Sequence, residues 1–218
     1  MTDSSGNDRP RVPPGQVVTS KFPVMTANAP QPMPLEEWRL SIDGRVRNPV
    51  TFNWRTFNEL PKSEFVVDIH CVTSWSKLDT KWVGVDLDVL FDMAEPLDDA
   101  PYVIAKAERD YSANLRLRDL RGGGKAFVAT HFDGAPLTRD HGGPARLVAP
   151  ALYFWKSAKW LTGLTLSEYD YKGFWERLGY HNYGDPWKEQ RYRGFDPEPP
   201  KEARDARRRK RDPDTTKV

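Results

Sequence analysis

Residues 65–71 read FVVDIHC, a mostly apolar and β-branched run that ends at the only cysteine of the chain. This composition predicts a buried strand, and it places the thiol of Cys71 where the strand opens into the polar segment VTSWSKLDTKW. His70, Lys77 and Lys81 would favour the thiolate, which is a good ligand for soft or high-valent metals. The alternative is that Cys71 is a small buried hydrophobe, the usual role of a free cysteine.

Other short segments on both sides of this run have the composition of strands. They lie at residues 38–42, 102–107, 126–130, 146–150 and 159–166, with a polar loop expected between 107 and 126. Helices are expected within 51–60 and 171–178 and over 86–94, where Asp86 would cap the first turn. Because strands outnumber helices and do not alternate with them regularly, the sequence predicts an α+β fold, mainly β, in a single domain.

The two ends of the chain differ in composition from its middle. Residues 1–20 are rich in proline and small polar residues, which predicts a disordered N-terminal arm. The domain is expected to span residues 21–195, with Phe22 and Val24 docking on it. Residues 196–218 are charged and lack an apolar stripe, so we expect a disordered tail.

Charge gives no argument for a nucleic acid or membrane partner. The formal net charge is +2, and residues 196–218 hold eight basic and six acidic side chains, so the other residues hold 25 of each. The run RRRKR at 207–211 is interpreted as solvated charge, with polyanion binding as the alternative. One cysteine suits a reducing compartment. The N-terminus shows no apolar signal stretch, and no apolar run is long enough to span a bilayer. We therefore expect a cytoplasmic protein.

A second candidate motif is HGGPARLVAP at 141–150. Gly142 and Gly143 would let the backbone approach a ligand closely, and the planar guanidinium of Arg146 suits a phosphate. The alternative is a glycine turn that leads into a strand with a surface arginine. No paired metal-ligand motif, Walker loop or dinucleotide fingerprint is present in the sequence.

A third candidate is LYFWKSAKW at 152–160. Lys156 and Lys159 flank Ser157, and the small residues would let backbone N–H groups face an anion to which the lysines add charge. The aromatic residues around them are equally typical of a core. Basic residues among aromatics also occur in nucleic-acid binders, although a neutral domain with one short cluster argues against that function.

Three separated blocks resemble one known family in order and spacing. DIHCVTSWS (68–76), GAPLTRDHGGPARLVAP (134–150) and LYFWKSAKWLTGLTL (152–166) are similar to the molybdopterin-binding domain of sulfite-oxidase-type oxidoreductases, as is WRLSIDGRVRNPVTF (38–52). The resemblance implies the sulfite-oxidase-type molybdopterin-binding fold. Within this family the chain is more similar to the catalytic subunit of bacterial methionine-sulfoxide reductases, in which the cysteine is followed by x-x-x-Trp-Ser. True sulfite oxidases carry arginines after the cysteine, and this chain has none there, which argues against sulfite as substrate.

The resemblance implies a role for individual positions. Cys71 would be the thiolate ligand of molybdenum, and Tyr111 would reach the open face of the metal and donate a proton. His141 stands where the related reductases have an asparagine that contacts the pterin. The implied cofactor contacts are Phe22, Pro23, Val24, His70, Cys71, Ala107, His141, Arg146, Ser157, Ala158 and Lys159.

The function implied is oxygen-atom transfer by a molybdenum and molybdopterin cofactor. The substrate would be a small sulfoxide or similar oxo compound. Electrons would be exchanged with a separate redox partner, because the sequence shows no second cofactor motif. Two alternatives remain at this point: a non-enzymatic binding domain that keeps the fold without the metal, and a nucleic-acid-associated protein that uses the basic tail.

Overall fold

The computed structural model describes residues 10–27 and 33–194, and most of its regular structure is β. The strands are β1 (Val17–Val18), β2 (Arg39–Gly44), β3 (Val50–Asn53), β4 (Ser63–His70), β5 (Trp75–Asp86), β6 (Tyr102–Ala107), β7 (Ser112–Arg116), β8 (Phe127–Phe132), β9 (Ala135–Pro136), β10 (Arg146–Val148) and β11 (Leu161–Ser167). The helices are α1 (Trp54–Asn58), α2 (Leu87–Ala94), α3 (Leu117–Leu120) and α4 (Phe174–Arg177), with 3₁₀ turns at Arg139–His141, Phe154–Lys156 and Pro186–Lys188. None of the described helices is long and apolar enough to cross a membrane.

The first sheet is built around β5, its longest strand. The order is β1-β5-β8-β10, with β4 also paired to β5 and β9 to β8. The β5–β8 register shifts at Gly84, where an added Cβ would lie 2.3 Å from the carbonyl oxygen of Val128. Only glycine therefore allows this close approach of the two strands.

The second sheet has the order β3-β2-β11-β6-β7, and β2 and β11 run parallel in it. The main core cluster draws buried side chains from both sheets and from α2. Trp38, just before β2, is fully buried, and its indole N–H donates to the carbonyl of Leu161 at 3.1 Å. This contact ties the start of β2 to the start of β11.

The predicted fold class is confirmed, and most of the predicted elements are present. Helix α2 begins after Asp86, whose carboxylate accepts from the Asp88 amide at 2.9 Å. The predicted strand at 65–71 exists as β4, but only its end is buried, at Ile69 and His70 and at Cys71 just after it. Strands β1, β3, β5, β7 and β9 were not predicted. The sequence of β5 is largely polar, β7 and α3 occupy the expected polar loop, and β3 replaces the first residues of the helix expected within 51–60.

The part of the N-terminal arm that the structure describes lies against the domain. We call residues 10–27 the strap. Val17–Val18 pair in parallel with β5, and Arg11 donates to Asp68 at 2.6 Å and also pairs with Asp79. Composition predicted disorder for residues 10–20, but strand pairing and an ion pair attach them to the domain. Local composition does not report such contacts with distant residues. The rest of that arm (1–9), the tail 196–218 and its basic run 207–211 lie outside the described residues.

Candidate active site

The turn between β4 and β5 carries Cys71 to the edge of a cavity of about 200 Å³. Cys71 is 7 % exposed, and its Sγ lies 3.1 Å from the hydroxyl of Thr73. Its amide donates to the carbonyl of Trp75 at 2.8 Å, and the amide of Ser74 donates back to its carbonyl at 3.1 Å. The thiol therefore sits in a tight hydrogen-bonded turn at the cavity rather than inside the main core.

Three basic side chains, which we call the cationic wall, line the same cavity: His141, Arg146 and Lys159. Arg146, on β10, is 1 % exposed and donates to the carbonyls of His141 at 2.8 Å and Ser157 at 2.9 Å. Lys159 donates to the carbonyl of Asp140 at 2.6 Å. None of the salt bridges among the described residues includes Arg146 or Lys159, although Asp140 favours the charged forms of Lys159 and His141.

Burial, and at two of the three side chains neighbouring positive charge, lowers the pKa values of the cationic wall. Burial lowers the pKa of Arg146 to about 9. Burial and then the charge of Arg146 lower the pKa of Lys159 to about 8. Burial, Arg146 and Lys159 together lower the pKa of His141. An anion in the cavity would offset these costs, because an opposite charge favours the protonated forms.

Two polar atoms at the cavity are buried without a hydrogen-bond partner, namely His141 Nδ1 and Trp75 Nε1. Buried side-chain nitrogens seldom remain unpaired in folded proteins. The His141 ring is also stacked on Phe22 of the strap, with centroids 4.0 Å apart. The lining thus combines positive charge, unused hydrogen-bonding capacity and a flat aromatic surface, a set that suits a planar, polar and anionic ligand.

The structure brings eight of the predicted site residues to the cavity and leaves four away from it. Those that line it are Phe22, Pro23, Cys71, Tyr111, His141, Arg146, Ser157 and Lys159. Val24 is 47 % exposed, whereas Ala107 and Ala158 are buried in the main core. His70 is buried behind the Cys71 turn, where its Nδ1 lies 2.8 Å from the hydroxyl of Ser76 and burial lowers its pKa to about 4.

The third motif folds differently from the expectation that both of its lysines face an anion. Only Lys159 lines the cavity. Lys156 is fully buried and forms an ion pair with Glu176 of α4, with Nζ 2.7 Å from Oε1. Its direction is set by this partner 20 residues along the chain, which the local pattern does not reveal.

The glycines of the second motif serve packing within the protein. Gly142 has φ +103°, and an added Cβ would lie 2.9 Å from Cβ of Lys159. At Gly143 an added Cβ would lie 2.2 Å from the carbonyl oxygen of Leu137. The glycines were predicted to let the backbone approach a ligand, but here they let it approach other residues of the protein. This packing places Lys159 and Arg146 side by side.

Tyr111 lines the cavity, but its hydroxyl is already engaged. It donates to the carbonyl of Trp155 at 2.5 Å, and burial raises its pKa far above the usual value. A phenol has one proton to donate, so this bond weighs against the predicted role of Tyr111 as a proton donor to the cavity.

Sequence reasoning missed the side chains that surround Cys71. We call Trp155, Trp175 and Tyr180 the aromatic wall; all three line the cavity and pack with Cys71 in one small cluster. The Tyr180 ring lies 5.2 Å from Trp155 and 4.8 Å from Trp175. Trp155 stood in a motif already singled out, whereas α4 and Tyr180 carried no signal of a site. Glu108, which pairs with Arg139 at 2.7 Å, lines the cavity next to Ala107.

Comparison with known proteins gives consistent results. Residues 27–175 match the family described as Oxidoreductase molybdopterin binding domain. The chain is 43 % identical over 193 residues to the protein called uncharacterized oxidoreductase YuiH of Bacillus subtilis (strain 168), covering 88 % of this chain and 95 % of the relative.

A solved structure with the same fold supports this assignment. The sulfane dehydrogenase SoxCD of Paracoccus pantotrophus superposes with a TM-score of 0.58 at 20 % identity, over 64 % of this chain. The chain spans 40 % of the length of that protein. The predicted sulfite-oxidase-type molybdopterin-binding fold is thereby confirmed, and the chain belongs to the family of oxidoreductases with a molybdopterin-binding domain.

Proposed function

We propose that this oxidoreductase binds a molybdenum–molybdopterin cofactor in the described cavity and transfers an oxygen atom to or from a small sulfoxide or similar oxo compound. Electrons would be exchanged with a separate redox partner. The observation that carries the proposal is that one cavity is lined by the only cysteine of the chain and by the cationic wall. When bound, the cofactor would supply two-electron redox chemistry at its metal.

The residues present fit such a cofactor. Among the described residues, no three His, Cys, Asp or Glu side chains come together as a metal site, so Cys71 would act as a single protein ligand and the remaining ligands would come from the cofactor. The cationic wall would neutralise its phosphate. His141 Nδ1 and Trp75 Nε1 are buried without partners, and a pterin has several donors and acceptors to offer them.

Each side chain of the site then has a defined task. Cys71 Sγ would hold the metal, and the hydroxyl of Thr73 at 3.1 Å would donate to the thiolate. Arg146 and Lys159 would bind the anionic part of the cofactor, and Phe22 would cover it from the strap together with Pro23. Val24, Ala107 and Ala158 have no direct contact in this proposal because they do not line the cavity.

The aromatic wall supports a neutral and partly apolar substrate. Cys71 packs with the aromatic side chains of Trp155, Trp175 and Tyr180 in one hydrophobic cluster. Aromatic rings exclude water and make favourable contacts with sulfur, whereas an oxyanion would need a charged partner here. A cytoplasmic location stays a prediction, based on the single cysteine.

Metal analysis tests the proposal directly. Full-length wild type and Cys71→Ser are purified from a host that makes the cofactor, and molybdenum and pterin are measured per folded chain. We expect about one molybdenum per wild-type chain, because one thiol and one cavity define one site. Cys71→Ser should fold normally and lose turnover of a sulfoxide probe. A folded wild type without molybdenum, or full activity in Cys71→Ser, would contradict the proposal.

A further inference from the structure

The turn that carries the thiol, Cys71–Ser74, is held from outside by both ends of the described chain. Its carbonyls accept hydrogen bonds from three groups remote in sequence. Gln16 Nε2 donates to Cys71 at 3.1 Å, and the amide of Val17 donates to Ser74 at 2.9 Å. The guanidinium of Arg191 donates to the carbonyl of Val72.

Gln16 contacts the turn and the start of β5, and reaches the end of β4 through the hydroxyl of Ser76. Besides binding the carbonyl of Cys71, its Oε1 accepts from the hydroxyl of Ser76 at 3.3 Å. That hydroxyl also lies 2.8 Å from Nδ1 of His70, the last residue of β4. One amide side chain from the strap therefore connects the end of β4, the turn and the start of β5.

Arg191, near the C-terminal end of the described residues, also supports the turn. Its side chain is 13 % exposed, and its guanidinium lies 5.1 Å from the centroid of the Tyr153 ring. Val72 and Tyr153 both pack in the cluster of Cys71. A hydrogen bond from a charged donor is stronger than one from a neutral donor, so Arg191 is the firmer of the two contacts.

The turn needs such support. Ser74 has φ +69°, a left-handed conformation that residues other than glycine adopt infrequently. Backbone of this kind persists when surrounding contacts over-determine it. The three outside hydrogen bonds supply these contacts, and none of them comes from the main core.

We propose that Gln16 and Arg191 are positioning residues that fix the direction of the Cys71 thiolate toward the metal. The proposal rests on the assignment of Cys71 as ligand under the proposed function. A metal ligand must be held within about half an ångström of its working position by neighbours that do not themselves touch the metal. Gln16 and Arg191 hold the backbone on which Sγ is carried and do not line the cavity.

Hydrogen exchange of the cofactor-free chain tests, without any metal, whether Gln16 and Arg191 hold the Cys71–Ser74 turn. The reporters are the amides of Cys71 and Ser74, both hydrogen-bonded within the turn. We expect exchange roughly tenfold faster in Arg191→Met and a few-fold faster in Gln16→Met, with Arg191→Lys close to wild type. Arg193→Met is the matched control, because Arg193 donates to the carbonyl of Glu176 instead. Unchanged exchange at these amides in both variants overturns the proposal.

The sulfur-to-molybdenum charge-transfer absorption of the loaded chain tests the effect on the metal. It should shift in Gln16→Met and Arg191→Met at unchanged molybdenum content, because overlap between thiolate and metal depends on their relative orientation. Arg191→Lys and Arg193→Met should keep the wild-type band. An identical band in all loaded variants overturns the positioning role. Faster exchange in Gln16→Met and Arg191→Met, together with a wild type that takes up no molybdenum, would instead support the hydrogen-bonding role of both residues and refute the proposed function.

Discussion

Two cations are buried close to the cavity, and the protein treats them in opposite ways. Lys156 lies 2.7 Å from the carboxylate of Glu176, and its ammonium also donates to both oxygens of Asn114. Arg146 has only carbonyls as acceptors, among them that of Ser157, and no salt bridge among the described residues includes it. Burial lowers the pKa of both side chains. The difference is that the fold supplies the counter-charge of Lys156 and does not supply that of Arg146.

We therefore call Lys156 and Glu176 the structural pair, and we call Arg146 the binding charge. The Lys156–Glu176 pair also fixes the aromatic wall, because the indole N–H of Trp155 donates to the same carboxylate oxygen at 2.8 Å. Arg146 lines the cavity, where an anion can reach it. A buried charge without a partner is costly unless a ligand supplies one, so its place marks where the ligand belongs.

The largest effect is expected when the structural pair is broken. Glu176→Gln leaves the ammonium of Lys156 buried without the carboxylate that contacts it, which should lower the free energy of unfolding by about 3–5 kcal/mol. Urea denaturation of the cofactor-free chain measures this loss. A loss below about 1 kcal/mol would show that Lys156 is neutral or hydrated in the folded chain.

The matched control removes both charges together. Lys156→Met with Glu176→Leu should be less destabilised than Glu176→Gln alone, because replacing a whole buried pair by apolar side chains is often close to neutral. The same denaturation series decides this. Equal losses in the two variants would assign the cost to packing around Trp155 and not to the unpaired charge.

An intermediate effect is expected for the binding charge, and on a different quantity. Arg146→Met should weaken the affinity for the cofactor by roughly 10- to 100-fold, as expected when a hydrogen bond to a charged group is lost. Less cofactor should then be retained per chain. The cofactor-free chain should lose less stability than in Glu176→Gln, because an unpaired charge disappears with the side chain. Pterin content and urea midpoint are both measured, with Arg45→Met, an exposed residue paired with Asp99, as the control. Undiminished pterin content would remove Arg146 from the site.

The smallest effect is a pH dependence due to Lys159. Its pKa in the folded, cofactor-free chain is lowered from 10.5 to about 8, so the unfolded chain binds the extra proton between these values. Stability should therefore rise as the pH increases from about 8 to about 10.5, by less than the ~1.4 kcal/mol per pH unit that a fully released proton gives. Urea midpoints at about pH 7 and about pH 9.5 compare wild type with Lys159→Met. An equal rise in both chains would assign the effect to other groups.

The sequence identified the residues that act through local motifs. Cys71, Arg146 and Lys159 stand in blocks whose order and spacing resemble the family, and all three line one cavity. Strands with dense apolar or alternating patterns, such as β2, β6 and β11, were also predictable, because one face of each must be buried. In these places local pattern and tertiary environment agree.

The features that were missed depend on distant partners. The polar sequence of β5 forms a strand because β1, β4 and β8 pair with it, and no property of its own residues reports those neighbours. Lys156 and Lys159 look alike in sequence, yet Glu176 draws the first one into the interior. Trp175 and Tyr180 reach the cavity from a segment whose sequence predicts a short helix but carries no motif of a site.

The parallel pairing of the strap with β5 bears on how the protein should be trimmed for study. A truncation that starts at residue 21, the domain boundary suggested by composition, would keep the whole cationic wall and every strand of both sheets except β1. It would delete Gln16 and Val17, and with them two of the three outside hydrogen bonds to the thiol-bearing turn. Such a shortened protein should express and fold, yet serve poorly as a stand-in for the full chain in any measurement that involves Cys71.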